Sequence, residues 1–132
     1  MNGGGTRGVV MAKILVVDDE YLLRAMLKDA LEEIGHTVLL AENGEVALAQ
    51  AKADPPDCIL LDIMMPGLDG YATCAAIKAD PKLASIPVLL ISATSDLRVI
   101  DRAEQVGATT ILPKPVPFEQ LQQALILALN PS

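Results

Sequence analysis

Asp18 and Asp19 close one apolar run, Ile14 to Val17, and Asp62 closes a second, Cys58 to Leu61. Ser92 ends a third run, Val88 to Ile91, and Lys114 follows a fourth, Thr110 to Leu112. An unpaired carboxylate is costly to desolvate, so acids at such ends must face an opening rather than the core. Gathered in one place, three acids repel one another, and a divalent cation with oxygen ligands relieves that repulsion. Mg²⁺ suits the set because it accepts a few carboxylates together with phosphate oxygens. A hydroxyl and a lysine beside it would complete a centre for metal-assisted phosphoryl transfer. Each residue alone has a plainer role: acids in the first turn of a helix, a turn residue, a helix-capping serine, a solvated lysine. The coincidence at four strand ends favours the joint reading.

That chemistry requires the strand ends to share an edge, as they do in an open parallel α/β sheet. The sequence predicts strands over Lys13–Val17, Thr37–Ala41, Asp57–Leu61, Pro87–Ser92 and Thr109–Leu112. They alternate with helices over Tyr21–Ile34, Gly44–Ala53, Tyr71–Lys78, Leu97–Val106 and Phe118–Leu129. The strand runs are continuously apolar, as expected for parallel strands covered on both faces. The helices are amphipathic instead. In the first, Leu23, Leu27, Leu31 and Ile34 form one stripe, opposite Arg24, Lys28, Glu32 and Glu33. Asn43 is placed to cap the second helix. Five such units are too few for an eight-fold barrel, so a doubly wound (βα)5 sheet is expected.

The chain has 132 residues, enough for one domain, and a formal net charge of -7. That charge argues against direct nucleic-acid binding, which needs a basic footprint. No apolar run has the length of a membrane span, and the chain reads as cytoplasmic. Cys58 and Cys74 lack metal-ligand spacing and are expected as buried thiols. His36, the one histidine, follows Gly35 and reads as a surface or loop residue. Gly3-Gly4-Gly5 and Gly8 mark residues 1–12 as a flexible tail.

Val16-Val17-Asp18-Asp19-Glu20, Leu60-Leu61-Asp62-Ile63-Met64-Met65-Pro66-Gly67-Leu68-Asp69-Gly70, Ile91-Ser92-Ala93 and Pro113-Lys114-Pro115 together resemble the receiver domain of two-component response regulators, in the single-domain, chemotaxis-regulator-like form. The resemblance spans residues 13–129, leaving 130–132 as a short tail, and it implies the flavodoxin-like strand order 2-1-3-4-5. It implies a signalling switch in which Asp62 takes a phosphoryl group from a histidine kinase, a phosphotransfer protein or a small acyl phosphate. By the same resemblance, Asp19, Asp62 and the Met64 backbone carbonyl would hold Mg²⁺, with Asp18 acting through metal-bound water. Lys114 and Ser92 would contact the phosphoryl oxygens, and Lys114-Pro115 matches a frequent cis peptide. Output would be a protein contact on the fourth helix, fifth strand and fifth helix, with a homodimer through that surface as one form.

The chain departs from the family pattern at three positions. Ile111 stands where an aromatic ring usually swings in step with the hydroxyl residue at Ser92. Met64 and Thr94 occupy positions that tune hydrolysis of the acyl phosphate, and neither is acidic or amide-bearing. Phe118, in register with Leu121, Leu125 and Leu129, is expected in the core, and Leu127 on the wet face. Three competing functions are weaker. A haloacid-dehalogenase-type phosphatase would use Asp18 as nucleophile, but it wants Asp where Glu20 stands. A flavin site would have its phosphate repelled by Asp18, Asp19 and Glu20. A pseudo-receiver scaffold has no need of the intact acid set.

Overall fold

A computed structural model describes residues 11–94 and 96–130. Five strands, β1 (Lys13–Val17), β2 (Thr37–Ala41), β3 (Cys58–Asp62), β4 (Val88–Ser92) and β5 (Thr110–Pro113), alternate with five helices. These are α1 (Tyr21–Glu33), α2 (Gly44–Ala53), α3 (Gly70–Ala79), α4 (Leu97–Gln105) and α5 (Phe118–Leu129). All strand pairs are parallel, in the order β2-β1-β3-β4-β5. The chain first moves outward from β1 to β2, then returns to β3 on the other side. The direction in which successive strands are added therefore reverses between β1 and β3, where a crevice opens at their carboxyl ends.

Alternation along the strands divides the core in two. Leu15, Val17, Ile59, Leu61, Val88 and Leu90 face α2, α3 and α4, packing on Ala47, Ala51, Cys74, Ile77 and Ala103. Ile14, Val16, Cys58, Leu60, Leu89, Ile91 and Leu112 face α1 and α5 through Leu27, Leu31, Leu121 and Leu125. Each fully buried Leu or Ile contributes roughly 1.5–3 kcal/mol, which fixes the sheet on which the strand-end polar residues stand. Cys58 and Cys74 are buried and unpaired, and burial pushes their thiols up to about 12 and about 11.

Several expected boundaries move by one or two residues. α1 stops at Glu33 because Gly35 takes φ 104, a left-handed conformation that suits glycine. β3 runs through Asp62, so the acid belongs to the strand itself. Asn43 caps α2 as expected, its Oδ1 accepting from Val46 N at 2.8 Å. Of the expected tail, residues 1–10 lie outside the described residues. Ala12 is buried, and its N donates to Nδ1 of His36 at 3.1 Å. His36 is accordingly half-buried, and that burial lowers its pKa.

One core assignment is corrected. Phe118 keeps the helical register of Leu121 and Leu125 but is 37% exposed and joins neither half of the core. It is the first residue of α5, entered directly from Pro117, and the apolar stripe reaches the sheet only at Leu121.

Candidate functional site

Asp18 continues β1, its N donating to the Ala41 carbonyl at 3.2 Å, and its side chain is buried. Asp62 ends β3 and is 1% exposed. The turn that follows it explains the long motif around it. Ile63 N donates to Ile91 O, and Gly67 takes φ 76 to reverse the chain. Asp69 then caps α3 by accepting from Ala72 N at 2.8 Å. Gly70 brings the helix so close that a Cβ there would lie 2.5 Å from the Asp62 carbonyl oxygen.

Asp18, Asp19 and Asp62 each offer a carboxylate oxygen, all within 4.8 Å of one another. Octahedral Mg²⁺ holds oxygens at about 2.0–2.1 Å, so opposite ligands stand about 4 Å apart. The three acids fit such an ion after a small contraction. Asp18 Oδ1 also accepts from Glu20 N at 2.7 Å. Burial is the main cause that raises the Asp18 carboxyl to about 6, with the neighbouring Asp62 charge adding to it.

Lys114 N donates to Ser92 O at 3.0 Å, which extends the β4–β5 ladder and aims the side chain back over the sheet edge. Its Nζ lies 2.9 Å from Glu20 Oε1, 3.1 Å from Asp62 Oδ2 and 3.5 Å from Asp18 Oδ2. Partial burial works against its charge, but hydrogen bonds to Glu20 and Asp62 outweigh that and raise its pKa. The Lys114–Pro115 peptide is cis.

Ser92 is buried, and its hydroxyl donates to Thr94 O at 2.7 Å while accepting from Thr94 N at 3.1 Å. It is thus at the right strand end but bonded to its own loop, not to the acids. Ile111 is half-buried and lines a pocket of about 390 Å³ with Ser92, Thr94, Val99 and Ile100. Met64 N donates to Asp62 Oδ1 at 3.2 Å, while the Met64 side chain is 75% exposed. Leu127 stands clear of the core on α5 and is also 75% exposed.

Residues 14–126 match the family profile described as the response regulator receiver domain. The chain belongs to the receiver domains of response regulators. This receiver domain is 36% identical over 115 residues to Protein PilH of Pseudomonas aeruginosa, covering 87% of the chain and 95% of PilH. It is 37% identical over 113 residues to Protein PilG of the same organism, covering 86% and 84%. It spans under half, 45%, of the probable transcriptional regulator ycf27 of Guillardia theta, at 36% identity over 89% of the chain. The chemotaxis protein CheY4 of Vibrio cholerae superposes with a TM-score of 0.87 at 32% identity, covering 91% of this chain and all of that one. The fold is therefore that of a receiver domain, with the doubly wound sheet in the order 2-1-3-4-5.

One residue of the receiver site was not legible as such. Glu20 follows the acid pair and reads as helix-terminal charge, and it does occupy the N-cap position of α1. Its side chain makes no cap bond and instead pairs with Lys114, 94 residues away. Nothing local in the sequence signals that pairing, because it depends on where β5 ends.

Proposed function

We propose that this receiver domain is a switch in which Asp62 accepts a phosphoryl group from a sensor histidine kinase, a phosphotransfer protein or a small acyl phosphate. The observation that carries the reading is the position of Asp62. It is a nearly inaccessible carboxylate whose Oδ2 lies 3.1 Å from the Lys114 ammonium, beside two further acids at one sheet edge. Burial restricts access to the carboxylate, and Lys114 is at hand to neutralise charge on the transferred oxygens.

Mg²⁺ bound by Asp19, Asp62 and the Met64 carbonyl, with Asp18 acting through a coordinated water, would supply the remaining charge neutralisation. Asp62 Oδ forms the new bond to phosphorus as the bond to the donor breaks, P–N for a phosphohistidine or P–O for an acyl phosphate, and the imidazole or carboxylate leaves with the electron pair. Ser92 would then leave Thr94 to bond a phosphoryl oxygen, and Ile111 would move into the pocket it lines. The reading makes the chain its own catalyst and not a metabolic enzyme. Its place is the cytoplasm, and its output is a protein contact across α4, β5 and α5, to a downstream target or a second copy. Peptide mapping after incubation with Mg²⁺ and acetyl phosphate tests it: the phosphoryl group belongs on the peptide holding Asp62.

The phosphatase alternative is not favoured. Glu20, two residues after Asp18, is engaged with Lys114, and the site centres on Asp62. Turnover of a phosphomonoester lost in Asp18→Asn and kept in Asp62→Asn would reverse that judgement.

A further inference from the structure

Among the described residues Lys114 is the cation ion-paired to the carboxylates of this site, while Arg24 Nη1 reaches only the Asp18 backbone carbonyl at 2.6 Å, and the shortest Lys114 bond goes to the carboxylate of the three that is most open to solvent. Glu20 Oε1 lies 2.9 Å from Nζ, and the Glu20 side chain is 62% exposed, against 1% for Asp18 and 2% for Asp62. An ammonium has three protons to donate, and here three carboxylates take them. An arriving phosphoryl group needs the same donors. It also brings about -1.5 to -2 charge into a space already bordered by Asp18, Asp19, Glu20 and Asp62.

Among those acids Glu20 is the one with no other task in the site. Asp18 binds the Glu20 amide, Asp62 binds the Met64 amide and is the acceptor, and Asp18, Asp19 and Asp62 form the cation-sized cluster. Glu20 sits at the N-cap of α1 without capping it. Its side chain is therefore held by the lysine alone, among the described residues.

We propose that Glu20 is a positioning residue that restrains phosphorylation: it holds Lys114 in the unphosphorylated site and opposes entry of the phosphoryl donor. The inference rests on the phosphoacceptor reading and names a regulator of that site. Removing the Glu20 charge frees a donor on Lys114 and lowers repulsion of the incoming dianion. Asp62 then attacks phosphorus sooner, the P–O bond to the acetyl group breaks as before, and acetate leaves with the electron pair.

The test compares wild type, Glu20→Gln and Glu20→Asp with acetyl phosphate in saturating Mg²⁺, following the adduct by intact mass at low and high ionic strength. At low ionic strength Glu20→Gln is charged roughly three- to tenfold faster than wild type, the effect of one exposed charge on a nearby dianion. Glu20→Asp, which keeps the charge, stays near wild type. The gap closes at about 1 M salt, where the Debye length falls to about 3 Å. A Gln variant charged no faster than wild type, or a gap indifferent to salt, overturns the inference. A wild type that takes up no phosphoryl group overturns the phosphoacceptor reading and this inference with it.

Discussion

The ammonium of Lys114 and the carboxylate of Asp62 meet at 3.1 Å although β4 lies between the strands that carry them. The lysine spans that strand because its backbone N is tied to the Ser92 carbonyl, so its stem runs back across the carboxyl end of β4. Replacing it removes the cation from two buried acids at once. Lys114→Ala should lower the rate of charging by acetyl phosphate about 10- to 100-fold, the worth of one charge-assisted hydrogen bond of roughly 1.5–3 kcal/mol. Rates within twofold of wild type would remove Lys114 from the mechanism.

The raised Asp18 carboxyl ties stability to pH. Its pKa is about 6 in the folded chain against 3.8 ordinarily, so between those values the folded state binds more protons than the unfolded state. The stability it contributes is full below 3.8 and is lost as pH rises through about 6. Urea denaturation in EDTA should show wild type losing stability relative to Asp18→Asn across that window. Mg²⁺ affinity should run the other way, weakening below about pH 6 as the carboxyl takes its proton. Parallel curves for the two proteins would refute the assignment.

Gly70 ties helix packing to the acceptor. A methyl group there would meet the Asp62 carbonyl oxygen at 2.5 Å and Ile63 Cα at 2.6 Å, and both are backbone atoms with little room to yield. Gly70→Ala should cost about 1–3 kcal/mol and slow phosphorylation as the end of β3 shifts. A variant as stable and as readily charged as wild type would show that α3 can withdraw freely.

Met64 and Thr94 present no acid or amide to orient an attacking water. The Met64 side chain is mostly in solvent, and the amide and carbonyl of Thr94 are bonded to Ser92. The aspartyl phosphate should therefore be comparatively long-lived, and Met64→Asn should shorten its half-life severalfold. Decay of the wild-type adduct as fast as free acyl phosphate in Mg²⁺ would contradict this.

Leu127 lines a groove of about 350 Å³ between β5 and α5, beside Gln120 and Gln123. Leu127→Ser should change stability by less than about 0.5 kcal/mol, as exposed substitutions do, while weakening partner binding or self-association of the phosphorylated form. An unchanged sedimentation and partner profile would move the output surface elsewhere.

The strands, the helices and the placement of polar residues at strand ends were legible because each is written locally: continuous Val, Leu and Ile runs, apolar stripes, and an acid, hydroxyl or lysine at the run's end. Phe118 was misplaced because register alone does not tell where a helix first reaches the sheet. Ser92 was placed at the correct edge, but its bond to Thr94 depends on the loop's backbone path. Glu20 escaped for a similar reason, since a residue at a helix start reads as electrostatics of that helix until the lysine's approach across β4 is known.

The most direct measurement is intact mass of wild type and Asp62→Asn after incubation with acetyl phosphate, with Mg²⁺ and with EDTA. One phosphoryl group on wild type in Mg²⁺, and none on the variant or in EDTA, is the predicted result. An adduct that persists in Asp62→Asn, or none in wild type with Mg²⁺ present, would contradict the assignment of Asp62 as acceptor.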